Sequence, residues 1–207
     1  MAQEGPAMIL RTLFPTAFYE GELADLALVA DLAHSARSLA ADDAAGRRWC
    51  REHGYPGYTS YASLADLPTR DPAFQLLARR LAPHAAAFAK AAHLDLGRRR
   101  LRLDSLWVNI LKPGGGHSGH VHPHSIVSGT VYVEVPEGAA ALRIEDPRLP
   151  LMMAAPPREP DAPAEARPFL YLHPRPGTIF LWESWLRHEV PQGRRAGDRI
   201  SISFNYA

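Results

Sequence analysis

Four histidines, His117, His120, His122 and His124, fall within eight residues of a glycine-rich stretch that runs from Pro113 to Ser128. Packing gives no reason for that composition, whereas neutral imidazoles are good ligands for divalent metals. In an extended chain the side chains at i, i+2 and i+4 share a face, which turns His120, His122 and His124 toward one side. Pro123 interrupts the regular backbone, so the shared face is best defined for His120 and His122. A distant histidine, His188, completes a three-nitrogen set of the kind that caps one face of a metal and leaves adjacent positions open. Non-heme iron sites of that kind commonly use two histidines and one carboxylate. With His122 in the carboxylate position the set carries one less negative charge and is expected to hold iron(II) more loosely. Glu134, Glu183 and Glu189 are the carboxylates that might replace it, and Glu189 should point away from His188 if both lie on a strand. The competing interpretation is a surface loop whose histidines are merely polar.

Strands must position such a set, and the second half of the chain supplies them. The pattern predicts strands over Leu101 to Ile110, Thr130 to Val135, Ala141 to Ile144, Phe169 to Leu172, Thr178 to Trp182, Arg187 to Val190 and Arg199 to Tyr206. Between Pro156 and Pro168 the chain is rich in proline and poor in apolar bulk, which indicates a surface excursion. Ahead of the strands, helical spacing of apolar residues over Glu22 to Ala41 and from Asp71-Pro72 toward Gly97 predicts two helices, the second kinked at Pro83. A first strand is expected within Ile9 to Tyr19, and Ser63 is expected to cap a short turn before Pro68. The aromatic segment Trp49 to Tyr61 reads as an irregular loop, either a wall over the site or a packed N-terminal segment. Helices grouped ahead of an antiparallel sheet, without alternating βα units, suggest a mainly β, jelly-roll sandwich with helices on one outer face. The expected division is residues 1–100 as helical support and 101–207 as the β core of one domain.

The last strand sharpens this. Ile200, Ile202 and Phe204 lie on one face, and Arg199, Ser201, Ser203 and Asn205 on the other. If the apolar row packs on the helices, the arginine and serines point into the barrel, which makes sense when an anion is bound there. Arg199 offers a bidentate fork to a carboxylate, with Ser201 adding a hydroxyl from the same face.

A chain of 207 residues with 46% apolar residues has enough material for one hydrophobic core. A formal charge of +1 gives no reason to expect nucleic acid or a membrane surface as partner. The single cysteine, Cys50, excludes an intrachain disulfide and a thiolate cluster, and with no leader or spanning segment evident a cytoplasmic location is expected.

The ordered motifs Trp107-Val-Asn109, Gly115-Gly116, His120-Val-His122-Pro123, Ser128-Gly-Thr-Val-Tyr132, Asp146-Pro-Arg148, Pro176-Gly177, Trp185-Leu-Arg187-His188 and Arg199-Ile-Ser-Ile-Ser-Phe-Asn205 resemble those of a family of small bacterial and phage 2-oxoglutarate- and iron(II)-dependent oxygenases. The resemblance spans Trp107 to Asn205. It implies a double-stranded β-helix of the cupin-like kind, with Fe(II), 2-oxoglutarate and O2 as reactants. It also implies that His120, His122 and His188 bind metal and that Arg199 binds the far carboxylate of 2-oxoglutarate. Asn109, Tyr132 and Ser201 are candidate further contacts to the cosubstrate. His124, Trp182, Trp185 and Arg187 are weaker candidates for contact with a substrate. The expected reaction is hydroxylation of a small molecule or amino-acid side chain, with 2-oxoglutarate converted to succinate. Arg187 and Arg148 suggest an acidic or amino-acid-like substrate, a peptidyl side chain is almost as plausible, and exposed strand edges permit a homodimer. Two other classes stay open: a three-histidine metal enzyme or metal-binding module that does not use 2-oxoglutarate, and a metal-free jelly-roll binding protein.

Overall fold

The computed structural model describes residues 9–193 and 197–207. The N-terminal Met-Ala-Gln-Glu-Gly-Pro segment and the Arg-Arg of the turn expected after Pro191 lie outside those residues. In chain order the elements are β1 (Phe18–Glu22), α1 (Leu26–Asp42), α2 (Ala44–Glu52), β2 (Gly57–Thr59), α3 (Leu67–Arg70), α4 (Pro72–Ala91), β3 (Leu103–Leu111), β4 (His117–His120), β5 (Val127–Glu134), β6 (Leu142–Glu145), β7 (Phe169–Leu172), β8 (Thr178–Glu183), β9 (His188–Val190) and β10 (Arg199–Tyr206). The strands form two antiparallel sheets: a six-stranded major sheet in the order β1-β8-β5-β10-β3-β2 and a four-stranded minor sheet in the order β4-β9-β6-β7.

The helices form where the sequence offers caps and an apolar stripe. Asp25 accepts a hydrogen bond from Leu28 N at 3.0 Å at the start of α1, whose buried Leu28, Val29, Leu32 and Ala36 recur at helical spacing. Asp71 caps α4 through Ala73 N, Pro72 occupies the first turn, and Phe74, Leu77, Leu81, Ala85 and Phe88 form the buried stripe. The helix runs through Pro83 rather than ending there. Pro83 and Arg79 are both exposed, so water can reach the carbonyl that the proline leaves without a donor. The helix ends at Ala91, short of the expected Gly97.

Three local expectations differ from what is observed. The segment before Tyr61 is ordered as α2 and β2, because Asp43 closes α1 and caps α2 through Gly46 N at 2.8 Å. Ser63 does not cap a turn; its hydroxyl donates to Asp43 Oδ2 at 2.5 Å, and Asp66 occupies the N-cap position of α3. The first strand starts only at Phe18, where pairing with Trp182 of β8 begins.

Both helices pack on the outer face of the major sheet. Their stripes meet Val108 and Ile110 of β3, Val131 and Val133 of β5, Ile179 and Leu181 of β8, and Ile200, Ile202 and Phe204 of β10 in one core. A second, smaller core of Leu111, Tyr132, Leu142, Ile144, Phe180, Trp182, Leu186 and Val190 fills part of the space between the sheets. Gly129 makes close approach possible there: a Cβ on it would lie 2.6 Å from the backbone oxygen of Phe180 and from side-chain atoms of Leu181 and Phe204. Because the helices take the apolar row of β10, its polar row faces inward, as the alternation predicts.

Candidate active site

Three cross-strand rows build the inner wall. In the β3–β10–β5 register, Ser201 pairs with Asn109 and Tyr132, Ser203 with Trp107 and Thr130, and Asn205 with Ser105 and Ser128. These rows and the histidine segment enclose a cavity of about 660 Å³.

One ring nitrogen from each of His120, His122 and His188 lies within 4.8 Å of the other two. His120 ends β4 and pairs directly with His188 of β9, with ring centroids 4.4 Å apart. His122 lies just beyond the strand, held there by its own backbone N–H donating to Ser184 O at 2.9 Å. Each imidazole has its Nδ1 turned to an oxygen. His120 Nδ1 donates to Ser118 O at 2.7 Å and His188 Nδ1 to Leu186 O at 2.9 Å. His122 Nδ1 donates to Asn205 Oδ1 at 2.6 Å. Carbonyl oxygens only accept, so every ring carries its proton on Nδ1 and presents Nε2 as a lone pair. Burial pushes the His188 imidazole down to about 3, with its neighbouring histidines adding to the effect, so the ring is neutral at physiological pH. Burial also lowers His122, against the opposing pull of its Asn205 hydrogen bond. Convergent imidazole nitrogens, two of them on rings that burial keeps neutral, are the donor chemistry a divalent metal requires.

The carboxylates that might replace His122 are engaged elsewhere. Glu134 forms a two-pronged pair with Arg37, Glu189 pairs with Arg143 at 2.8 Å, and Glu183 accepts from the Trp185 indole at 3.0 Å. His122 is instead anchored by polar groups whose role sequence reading did not find. Ser128 Oγ donates to Asn205 Oδ1 at 2.8 Å and lies 2.7 Å from Ser184 Oγ, while Asn205 Nδ2 donates to Ser105 Oγ at 3.1 Å. Asn205 was visible as a polar residue on the inner face of the last strand, and Ser128 only as part of a motif; the cross-strand register shows that they meet.

Deeper in the same cavity Arg199 is 1% exposed, with its Cζ 4.8 Å from the centroid of the Tyr132 ring. Arg199 Nε and Tyr132 Oη are buried without a hydrogen-bond partner. Burial raises the Tyr132 phenol, against the opposing charge of Arg199, so it stays a donor at neutral pH. Two buried donors without acceptors, one of them cationic, fit a carboxylate. Ser201 is buried beside them in the lining. Asn109 also lines the cavity, but its amide is committed to protein partners: Oδ1 accepts from Thr59 Oγ1 at 2.9 Å and Nδ2 donates to Ser203 Oγ at 3.0 Å.

The remaining sequence candidates separate. Trp182 is buried, lines the cavity, and lies 4.6 Å from the His188 ring between centroids. His124 lines the rim with a backbone φ of 71°, so it leaves the extended conformation that would have kept it on the face of His120 and His122. Trp185 and Arg187 are not among the lining residues; Trp185 is 50% exposed and Arg187 pairs with Glu145 at 3.1 Å. Arg148 is paired with Asp146 at 2.8 Å, also away from the lining. His117 lines the wall, with Nε2 2.7 Å from the Tyr55 hydroxyl. The aromatic segment contributes Trp49, His53, Tyr55 and Tyr61 to the lining, so it walls the site, while Tyr58 turns into the core and donates to Asp43 at 2.9 Å.

Residues 105–205, which carry the histidines, the arginine and the inner rows, match the family described as "Putative 2OG-Fe(II) oxygenase". The match ends at Asn205 and takes in just under half of the chain. No curated protein matches the chain in sequence. Among solved structures it is similar to a Pseudomonas putida prolyl-4-hydroxylase, with a TM-score of 0.61, 16% identity and 92% of each chain covered. It is also similar to the epimerase SnoN in complex with Fe3+, alpha ketoglutarate and nogalamycin RO, with a TM-score of 0.62, 17% identity and coverage of 92% of this chain and 78% of that one. HygX from Streptomyces hygroscopicus with nickel and 2-oxoglutarate bound gives a TM-score of 0.56 at 15% identity, with 93% and 82% covered. At these identities the likeness establishes the fold alone, a double-stranded β-helix as expected.

Proposed function

We propose that the chain is an Fe(II)- and 2-oxoglutarate-dependent hydroxylase of a small molecule, in which His120, His122 and His188 hold the metal and Arg199 binds the far carboxylate of 2-oxoglutarate. The observation that carries this is the pairing, in one cavity, of three convergent imidazole nitrogens with a buried arginine whose Nε has no hydrogen-bond partner. Bound iron(II) with 2-oxoglutarate supplies an oxidant from O2. In the overall balance one oxygen atom enters the substrate C–H bond and the other enters succinate, with CO2 released. The protein's own part is to present three convergent imidazoles, to fix the cosubstrate with Arg199, Tyr132 and Ser201, and to wall off water with Trp107 and Trp182. Asn109 supports the cosubstrate wall by holding Ser203 and Thr59 in place. His124 stands at the rim, where a substrate would enter.

Anaerobic addition of iron(II) and then 2-oxoglutarate should produce the weak visible charge-transfer band of the chelate. A folded protein that binds iron but gives no band on adding 2-oxoglutarate would instead be a three-histidine metal module. A folded protein that binds neither would be a jelly-roll binding domain.

A further inference from the structure

The part of the cavity left for substrate lacks the charges that would receive a free amino acid. Among the described residues, no aspartate, glutamate or lysine lines it, and Arg199 is its one arginine. Arg199 lies at the buried end and is the group assigned above to 2-oxoglutarate. The outer wall is made of rings. Trp49 and His53 stack with centroids 4.3 Å apart and planes 15° apart, and Tyr61 meets Trp107 edge to face at 5.2 Å. Trp107 in turn lies 5.8 Å from the His122 ring, which extends the aromatic wall from the solvent side to the histidine trio. Tyr61 and Val121, which also line the cavity, are 64% and 44% exposed, so the apolar wall continues to its opening.

A charged group entering this space loses hydration and finds no opposite charge among the described lining residues to replace it. A cation finds no carboxylate among the described lining residues, and an anion finds the one guanidinium among them already taken by 2-oxoglutarate. A neutral ring loses little hydration and gains contact with aromatic faces over a large area. Resting on the oxygenase assignment above, we infer that the substrate is an uncharged, ring-bearing small molecule seated against Trp107 and Tyr61, rather than an acidic or zwitterionic metabolite.

The test uses matched probes on protein loaded anaerobically with iron(II) and 2-oxoglutarate, followed by calorimetry. One set shares an aromatic ring: 4-hydroxyphenylacetamide is neutral, 4-hydroxyphenylacetate anionic and tyramine cationic. The other shares a sugar ring: methyl glucoside, glucuronate and glucosamine. In at least one set the neutral member should bind at least ~10-fold more tightly than both charged members, a gap of about 1.4 kcal/mol or more. The set that responds identifies the ring type. Tyr61→Ala and Trp107→Ala should each weaken that binding at least ~5-fold, and the exposed Tyr61 variant carries the test should Trp107→Ala fail to fold. A charged member binding as tightly as the neutral one, no binding by either neutral member, or indifference to Tyr61→Ala would overturn the inference. The charge-transfer band, recorded first on the same samples, separates these failures from failure of the oxygenase assignment, which would abolish the band itself.

Discussion

At the scale of single residues, His122 is decided by its neighbours. A histidine two residues after His120 is, by sequence, either a ligand or an occupant of a ligand's position. Its Nδ1 bond to Asn205, backed by Ser128 and Ser105, fixes the tautomer whose free nitrogen faces the other two rings. Asn205→Ala should therefore weaken iron(II) binding by about 10- to 100-fold, the usual cost of removing a partner that orients a metal-ligating histidine. His122→Ala should weaken it at least as much; metal titration with competing chelator measures both, and unchanged affinity in His122→Ala would remove that ring from the ligand set. Arg199 and Tyr132 separate from these by what they bind. Arg199→Met should raise the 2-oxoglutarate dissociation constant by roughly 10- to 100-fold and Tyr132→Phe by a few-fold, from the loss of about 1.5–3 and about 0.5–1.5 kcal/mol of hydrogen bonding. Iron affinity, titrated without 2-oxoglutarate, should change in neither. Residue type and spacing singled out His120, His122, His188 and Arg199, which the fold brings to one cavity, because metal and carboxylate chemistry restrict residue type severely. The contacts of Asn205, Ser128 and Thr59 were not legible, because a small polar side chain on a strand is equally suited to water.

At the scale of elements, the N-terminal half shows where periodicity informs and where it fails. α1 and α4 were legible from their apolar spacing and aspartate caps. α2 and β2 were not: the segment is short, rich in glycine and aromatic residues, and organised by a single carboxylate. Asp43 accepts from Gly46 N, Ser63 Oγ and Tyr58 Oη at 2.8, 2.5 and 2.9 Å, tying α1, α2 and the segment before α3 together. Burial alone would raise this carboxyl, but the hydrogen bonds from Ser63, Gly46 and Tyr58 outweigh it and hold it below its ordinary value of 3.8. The sign follows: the stabilisation is fully present above pH 3.8 and is lost as pH falls through the lowered value. Asp43→Ala should cost about 1–2 kcal/mol at pH 7, read from the urea midpoint, and the gap from the parent should narrow below about pH 4. Since α2 carries Trp49, the same variant should also loosen substrate contacts while leaving iron binding intact.

At the scale of the whole molecule, the helical layer and the major sheet form one rigid side, and the minor sheet carries the histidines on β4 and β9. Sequence alternation foretold that β10 turns its polar row inward, because Ile200, Ile202 and Phe204 needed the helices. It did not foretell which strands would be neighbours, since pairing across long connections leaves no local trace. No helix among the described residues is long and apolar enough to cross a membrane. A metal bound by His120, His122 and His188 ties β4, the segment after it and β9 together, so iron(II) at 100 times its dissociation constant should stabilise the fold by about 2.7 kcal/mol. Thermal unfolding with and without chelator measures this, and a triple His→Ala variant should show no difference.

The two ends of the proposed cosubstrate site belong to different sheets: His120 and His188 to the minor one, Arg199 to the major one. Their separation is therefore set by the hydrophobic filling of the sandwich, by Tyr132, Leu142, Phe180 and Trp182, and is not free to adjust to the ligand. The core acts as a fixed gauge of carbon-chain length. Oxaloacetate is one methylene too short to bridge it and 2-oxoadipate one too long, so each should replace 2-oxoglutarate poorly in competition for the iron-loaded protein. Trimming the gauge from within, by Leu142→Ala, should shift that preference without touching a single group that binds the ligand's charges.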